Sequence, residues 1–140
     1  MHLALSDIPD RGMFEAVFAA LDRDSMATAG PATPRLLAIP IRGDDGQAIG
    51  GLWGVSIHGW LQLDMLLVPE AMRGQGVGTR LMALAETEAR ARGCVGIYVD
   101  TFSFQAAPFY EKLGFTQFGA LHDCPPGHSR LFFQKRLAPA

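Results

Sequence analysis

The chain has 140 residues, 49% apolar and 19% charged, with a formal net charge of −2 and a pI near 6.0. That length suits one domain spanning residues 1–140, and the balance supports a buried core and excludes a disordered chain. It gives no global attraction to nucleic acid or to an anionic membrane, and no apolar run approaches the roughly 18 residues of a membrane span. Met1 to Asp10 includes Asp7 and Asp10 and lacks a basic region followed by an apolar stretch, so no signal peptide is expected. Cys94 and Cys124 fit neither CxxC nor CxxH spacing and read as reduced thiols of a cytoplasmic protein, with no metal site.

Met13, Phe14, Val17, Phe18 and Leu21 recur at helical spacing after Asp10, a capping residue, and predict an amphipathic helix. Residues 22–34 are small and polar with two prolines and read as a mobile loop. Leu36 to Arg42 and Ala48 to Ile57 then form a hairpin around the turn residues Gly43-Asp44-Asp45-Gly46. His58-Gly59 makes a second tight turn into Trp60 to Val68, an apolar and therefore central strand. A helix follows over Val77 to Arg92, with Leu81, Leu84, Ala85 and Ala89 inward and Gly93 at its end. On its solvated side Glu86 pairs with Arg90 and Glu88 with Arg92. Val95 to Thr101 reads as a strand, Ala106 to Leu113 as a short helix, and Phe115 to Leu121 and Arg130 to Arg136 as two more strands. Antiparallel hairpins followed by a strand–helix–strand unit indicate a mixed α/β sheet.

The segment from Val68 to Thr79 lies between a strand and a helix and contains Gly74, Gly76 and Gly78 at alternate positions. Such spacing turns the backbone so that its N–H groups face one concavity, beside the positive end of a helix dipole and the charge of Arg73. This is a site for a diphosphate. A P-loop is excluded because no GK[ST] occurs here. A dinucleotide fingerprint needs GxGxxG directly after the strand; Asp100 could serve as its acid, but Thr79 stands where the third glycine belongs. A plain glycine turn without a ligand is the remaining competitor.

Val68-Pro69 followed by Arg73-Gly74-Gln75-Gly76-Val77-Gly78 resembles the pyrophosphate loop of the GNAT superfamily of N-acetyltransferases. A strand ending in Asp100-Thr101 and then Gln105-Ala106-Ala107-Pro108-Phe109-Tyr110-Glu111-Lys112-Leu113-Gly114-Phe115 is similar to that family's second hallmark. The resemblance covers Trp60 to Leu137; Gln105 replaces the usual Asn, and only His2 to Leu5 could supply the family's first strand.

The resemblance implies an α/β GNAT fold: a mixed, largely antiparallel sheet with splayed central strands, flanked by helices. It implies transfer of the acetyl group of acetyl-CoA, a cosubstrate, to a primary amine by direct attack in a ternary complex. The pyrophosphate would rest on Arg73, Gly74, Gln75, Gly76, Val77, Gly78 and Thr79, with Gln105 also on the cofactor side and backbone groups near Leu66 and Val68 binding the pantetheine. Tyr110 would be the general acid. Its other reading is core packing, since Phe109 and Leu113 face inward at i,i+4 and Tyr110 lies about 100° around the helix. Asp64, a carboxylate inside an apolar strand, is either the base or a hydrogen-bonded structural residue. Gln62 shares its face, and His58, His122 and His128 lie in turns or loops. Trp53 and Trp60 line an acceptor pocket or cover the sheet. The acceptor, a small-molecule or peptide amine, is not readable from residues, and a homodimer is an expectation the family alone brings. A GNAT fold kept for binding or sensing without turnover is the alternative.

Overall fold

Asp10 accepts a hydrogen bond from the Met13 amide at 2.9 Å and starts α1, Arg11–Ala29, in the computed structural model, which describes residues 1–139. The helix continues through the stretch expected to be a loop. Between Asp22 and Gly30 no glycine or proline interrupts it, and Met26, Ala27 and Ala29 favour helix. Gly30 ends it with φ 81° and donates to the Met26 carbonyl at 3.0 Å. His2 to Leu5 forms no strand. Two compact units result, Met1–Thr33 and the chain from Pro34 onward.

The second unit contains one sheet. Its strands are β1 (Arg35–Arg42), β2 (Ala48–Ile57), β3 (Trp60–Leu67), β4 (Gly96–Phe102), β5 (Thr116–His122) and β6 (Ser129–Arg136), in the order β1-β2-β3-β4-β6-β5. Only β3 and β4 pair in parallel; every other pairing is antiparallel. That follows from connectivity. Tight turns can join antiparallel neighbours, whereas the parallel pair needs a crossover, here α2, Val77–Ala91. Pro40 fits because β1 is an edge strand. His58 (φ 53°) and Gly59 (φ 78°) form the left-handed turn between β2 and β3. A short helix α3, Ala107–Lys112, joins β4 to β5.

Leu81, Met82, Ala85 and Ala89 of α2 are buried with Leu61 and Leu63 of β3, Ile97 and Val99 of β4 and Phe133 of β6. Leu84, expected inward, is 57% exposed. The buried residues centre on Ala85, and at 100° per residue Leu84 lies past the edge of that face, while Met82 falls inside it. The end of α2 is tied twice. Gly93 donates to the Arg90 carbonyl and Cys94 to that of Ala89.

The helix pairs also differ from expectation, being drawn into the structure instead of lying in solvent. Glu86 meets Arg90 at 3.6 Å and Lys135 of β6 at 2.7 Å, with its side chain only 15% exposed. Arg92 holds Glu88 at 2.8 Å and donates to the Arg35 and Leu36 carbonyls and the Ser56 hydroxyl. Its guanidinium thereby fastens α2 to β1 and β2.

Candidate active site

Parallel pairing between β3 and β4 runs from Trp60–Gly96 to Leu63–Val99 and stops. The cause lies on the other side of β3. There Gly54 pairs with Leu63 but Trp53 pairs with Met65, which leaves Asp64 as the extra residue of a bulge. Alternation of buried and exposed residues breaks at the same point, Asp64 and Met65 both being exposed. Beyond it the ends of β3 and β4 separate around a cleft of 440 Å³, lined by Asp64, Leu66, Asp100, Thr101, Gln105 and Tyr110 among others. The sequence predicts a buried carboxylate at Asp64. The bulge instead brings it to the surface of the cleft, where its charge stays hydrated and needs no partner.

A second cleft of 530 Å³ continues from the first, sharing Leu66, Leu67, Gln105 and Ala106, and reaches Val68, Arg73, Gly78 and Phe109. It ends at the glycine loop. Gly74 and Gly76 have φ of 74° and 77°, and Gly76 is the N-cap of α2. The space a Cβ would occupy at either position is open. Gly78 differs, because its hydrogen faces Phe109 of α3, whose ring would lie 3.1 Å from a Cβ there. The first intrahelical bond of α2 is Arg80 to Gly76, so the N–H groups just before Arg80 lack intrahelical partners. Arg73 donates through Nε to the Val68 carbonyl at 3.0 Å, and Gln75 through Nε2 to that of Ala71 at 3.2 Å. Both side chains therefore shape the loop. Val77 packs towards the core, and Thr79 is exposed.

Tyr110 is the most enclosed residue of α3, 4% exposed, with its ring against Phe109, Phe115 and Phe133. The helical angle makes Phe109 and Leu113 the inward pair, but both are only partly buried. The side of this short helix that turns inward is the one carrying Tyr110, against Phe115 and Phe133. No protein group bonds the Tyr110 hydroxyl, yet no fully buried side-chain polar atom is unpaired among the described residues. The hydroxyl therefore opens onto the cleft that Tyr110 lines. Burial pushes its pKa up to about 12, and the Asp100 carboxylate adds to the shift. The phenol stays protonated throughout the ordinary pH range.

Gln105 does not cap α3. Ala106 occupies that position without a side-chain bond, and Gln105 Oε1 accepts from the Phe102 amide at 3.1 Å and the Thr101 hydroxyl at 3.3 Å. The longer side chain reaches back to the end of β4. Asp64, Leu66, Gln105 and Tyr110 thus meet in the first cleft, and Leu66, Val68, Arg73, Gly78 and Gln105 in the second. Gly74, Gln75, Gly76, Val77 and Thr79 line neither. Asp100 was legible only as a dinucleotide acid; it faces the cleft, held by Arg130 at 2.9 Å. Its position two residues before Phe102, at the end of the strand that leads to α3, was the available signal. The histidines stand apart from the cleft lining. His122 Nδ1 lies 3.2 Å from the Ser129 hydroxyl, and His128 packs edge-on against Phe104.

The family model described as "Acetyltransferase (GNAT) family" matches residues 7–115. Acetyltransferase Atu2258 of Agrobacterium fabrum is 43% identical over 137 residues, covering 98% of this chain and all of that protein. Blasticidin-S acetyltransferase of Streptomyces morookaense is 41% identical over 96 residues, 68% of this chain and 71% of that one. A crystal structure from Agrobacterium tumefaciens superimposes with a TM-score of 0.90 at 43% identity, over 98% of this chain and 100% of the other.

Proposed function

The chain belongs to the acetyltransferase (GNAT) family and is an acyltransferase; on that footing we propose that it carries the acetyl group of acetyl-CoA to a primary amine by direct attack in a ternary complex. The observation that carries this reading is the opening between β3 and β4, continuous from the Tyr110 hydroxyl to the glycine loop. The fit to acetyl-CoA rests on that loop: open space beside Gly74 and Gly76, uncommitted N–H groups at the start of α2, and Arg73 beside them. When bound, the cosubstrate supplies an activated thioester.

The chain's own residues account for the rest. Past Leu63, β3 has no ladder partner on its β4 side, so backbone groups near Leu66 and Val68 can bind the pantetheine and polarise a carbonyl. Val68 contributes through its amide, since Arg73 occupies its carbonyl. Asp64 takes a proton from the incoming ammonium, and Tyr110 gives one to the leaving sulfur. Gln105 holds the end of β4 in its splayed position and leaves its amide nitrogen for the cofactor side. We read residues 1–140 as one acetyltransferase domain, because the family match spans both compact units. The free thiols Cys94 and Cys124 support a cytoplasmic location. The relative named for blasticidin S supports a small-molecule amine as acceptor.

The test has two arms. Acetyl-CoA at about 100 times its dissociation constant should stabilise the fold by about 2.7 kcal/mol. A panel of amines should then release free thiol from it. A melting temperature unmoved by acetyl-CoA but raised by NADH or ATP contradicts the reading, and binding without thiol release from any amine points to a sensing module.

A further inference from the structure

We infer that the acceptor is an amine with a flat apolar body, held in a trough on the face of β1, β2 and β3 beside the cleft; this rests on the transfer reaction proposed above. Cross-strand partners stack in rungs on that face. Ala38, Trp53 and Met65 make one rung, and Pro40, Gly51 and Leu67 the next. At Gly51 (φ 133°) a Cβ would run into the β1 backbone at Ile39 and Pro40, so this rung carries no central side chain, and a trough of 400 Å³ is walled by Trp53, Pro40 and Leu67. Trp53 is 40% exposed, Met65 63% and Leu67 53%, so large apolar surfaces border it. A planar group lying there would stack on the indole and remove both surfaces from water.

Met65 and Leu67 line both the trough and the catalytic cleft, so a single small molecule can occupy the two at once. The charges at the junction decide which end enters the cleft. Asp64 stands next to Met65, exposed and without an ion-pair partner among the described residues, whereas Asp100 is held by Arg130. An ammonium group reaching from the trough meets the unpaired carboxylate. A simple alkylamine would meet Asp64 but leave the trough empty, and a neutral aromatic molecule would fill the trough but leave Asp64 unused. The combination is what the surface selects.

Trp53 itself provides a readout independent of turnover, since the chain has two tryptophans and Trp60→Phe leaves one. With CoA present, 2-phenylethylamine, ethylamine and 2-phenylethanol are titrated while Trp53 emission is followed. We expect 2-phenylethylamine to bind at least tenfold more tightly than either of the others. Ala38→Phe, which fills the trough from an exposed strand position, should abolish its advantage over ethylamine, and Asp64→Asn its advantage over the alcohol. The same contrast is read in the KM ratio of the two amines for the chain with both tryptophans and for Ala38→Phe alone, with KM for acetyl-CoA unchanged. Equal affinities for the two amines, an advantage that survives Ala38→Phe, or no emission change with any probe overturns the inference. Thiol release from both amines with equal KM would reject the trough and leave the transfer reaction standing. Selective binding with no thiol release would do the reverse.

Discussion

Replacing Tyr110 by Phe keeps the ring against Phe115 and Phe133 and removes only the hydroxyl at the cleft. Turnover should fall by roughly 10²- to 10⁴-fold, with acetyl-CoA affinity little changed. Full activity in the folded variant across the pH range would reduce Tyr110 to a packing residue. Its pKa also gives a stability signature. The folded value, about 12, lies above that of a free phenol, so the unfolded chain ionises first. The contribution of the protonated phenol is complete below the unfolded pKa near ~10 and is lost as pH rises through the folded value, about 2–3 kcal/mol in all. Urea unfolding at pH 9 and pH 11.5 should show that loss in the native chain and less of it in Tyr110→Phe; Tyr98, also raised by burial, is common to both. For Asp64→Asn we expect reduced turnover that higher pH partly restores, because more amine is then deprotonated without help. Unchanged turnover at neutral pH would remove Asp64 from the chemistry. The motif singled out Tyr110, and an acidic residue inside an apolar strand singled out Asp64, as candidates. Their surroundings could not be read in the same way, because burial of Tyr110 depends on β6 and exposure of Asp64 on a bulge made with β2.

Among the elements, the glycine loop and the end of α2 carry the clearest expectations. Gly76→Val forces a β-branched residue to φ near 77°, a strain of about 1–2 kcal/mol or more, and points its side chain into the space assigned to phosphate. A folded variant with acetyl-CoA affinity lowered at least tenfold is expected; normal binding in a titration would make the loop a turn and nothing more. Arg92→Ala should cost about 2–4 kcal/mol in chemical denaturation, since the side chain is only 9% exposed and its loss strips the Arg35 and Leu36 carbonyls of donors. A change below ~0.5 kcal/mol would mean water replaces it freely. Periodicity, together with turn residues, located α2 and the six strands to within a residue or two, even β5, which has no buried residue. It failed for the second half of α1, where small and polar residues resemble a loop but nothing breaks the helix. It also misplaced Leu84 and the solvated ion pairs, since which side of a helix is covered depends on the sheet beneath it.

At the scale of the whole molecule, the order β1-β2-β3-β4-β6-β5 puts the only parallel pair in the middle of the sheet. The central position of β3 was legible from its apolar run, and the parallel pairing was implied by the helical crossover. The bulge had no signature, because an extra residue is defined by its partner strand. Its consequence concerns what can vary. The opening at the centre of the sheet is a matter of counting: β3 has one peptide more than β2 can match, and the surplus must be turned out of the plane. On the β3 side a gap made in this way is set by backbone register and not by the side chains of Trp53, Met65 and Leu67. Under the proposed acceptor site, exchanges at positions 53, 65 and 67 would change the choice of acceptor while the frame of the cleft keeps its shape.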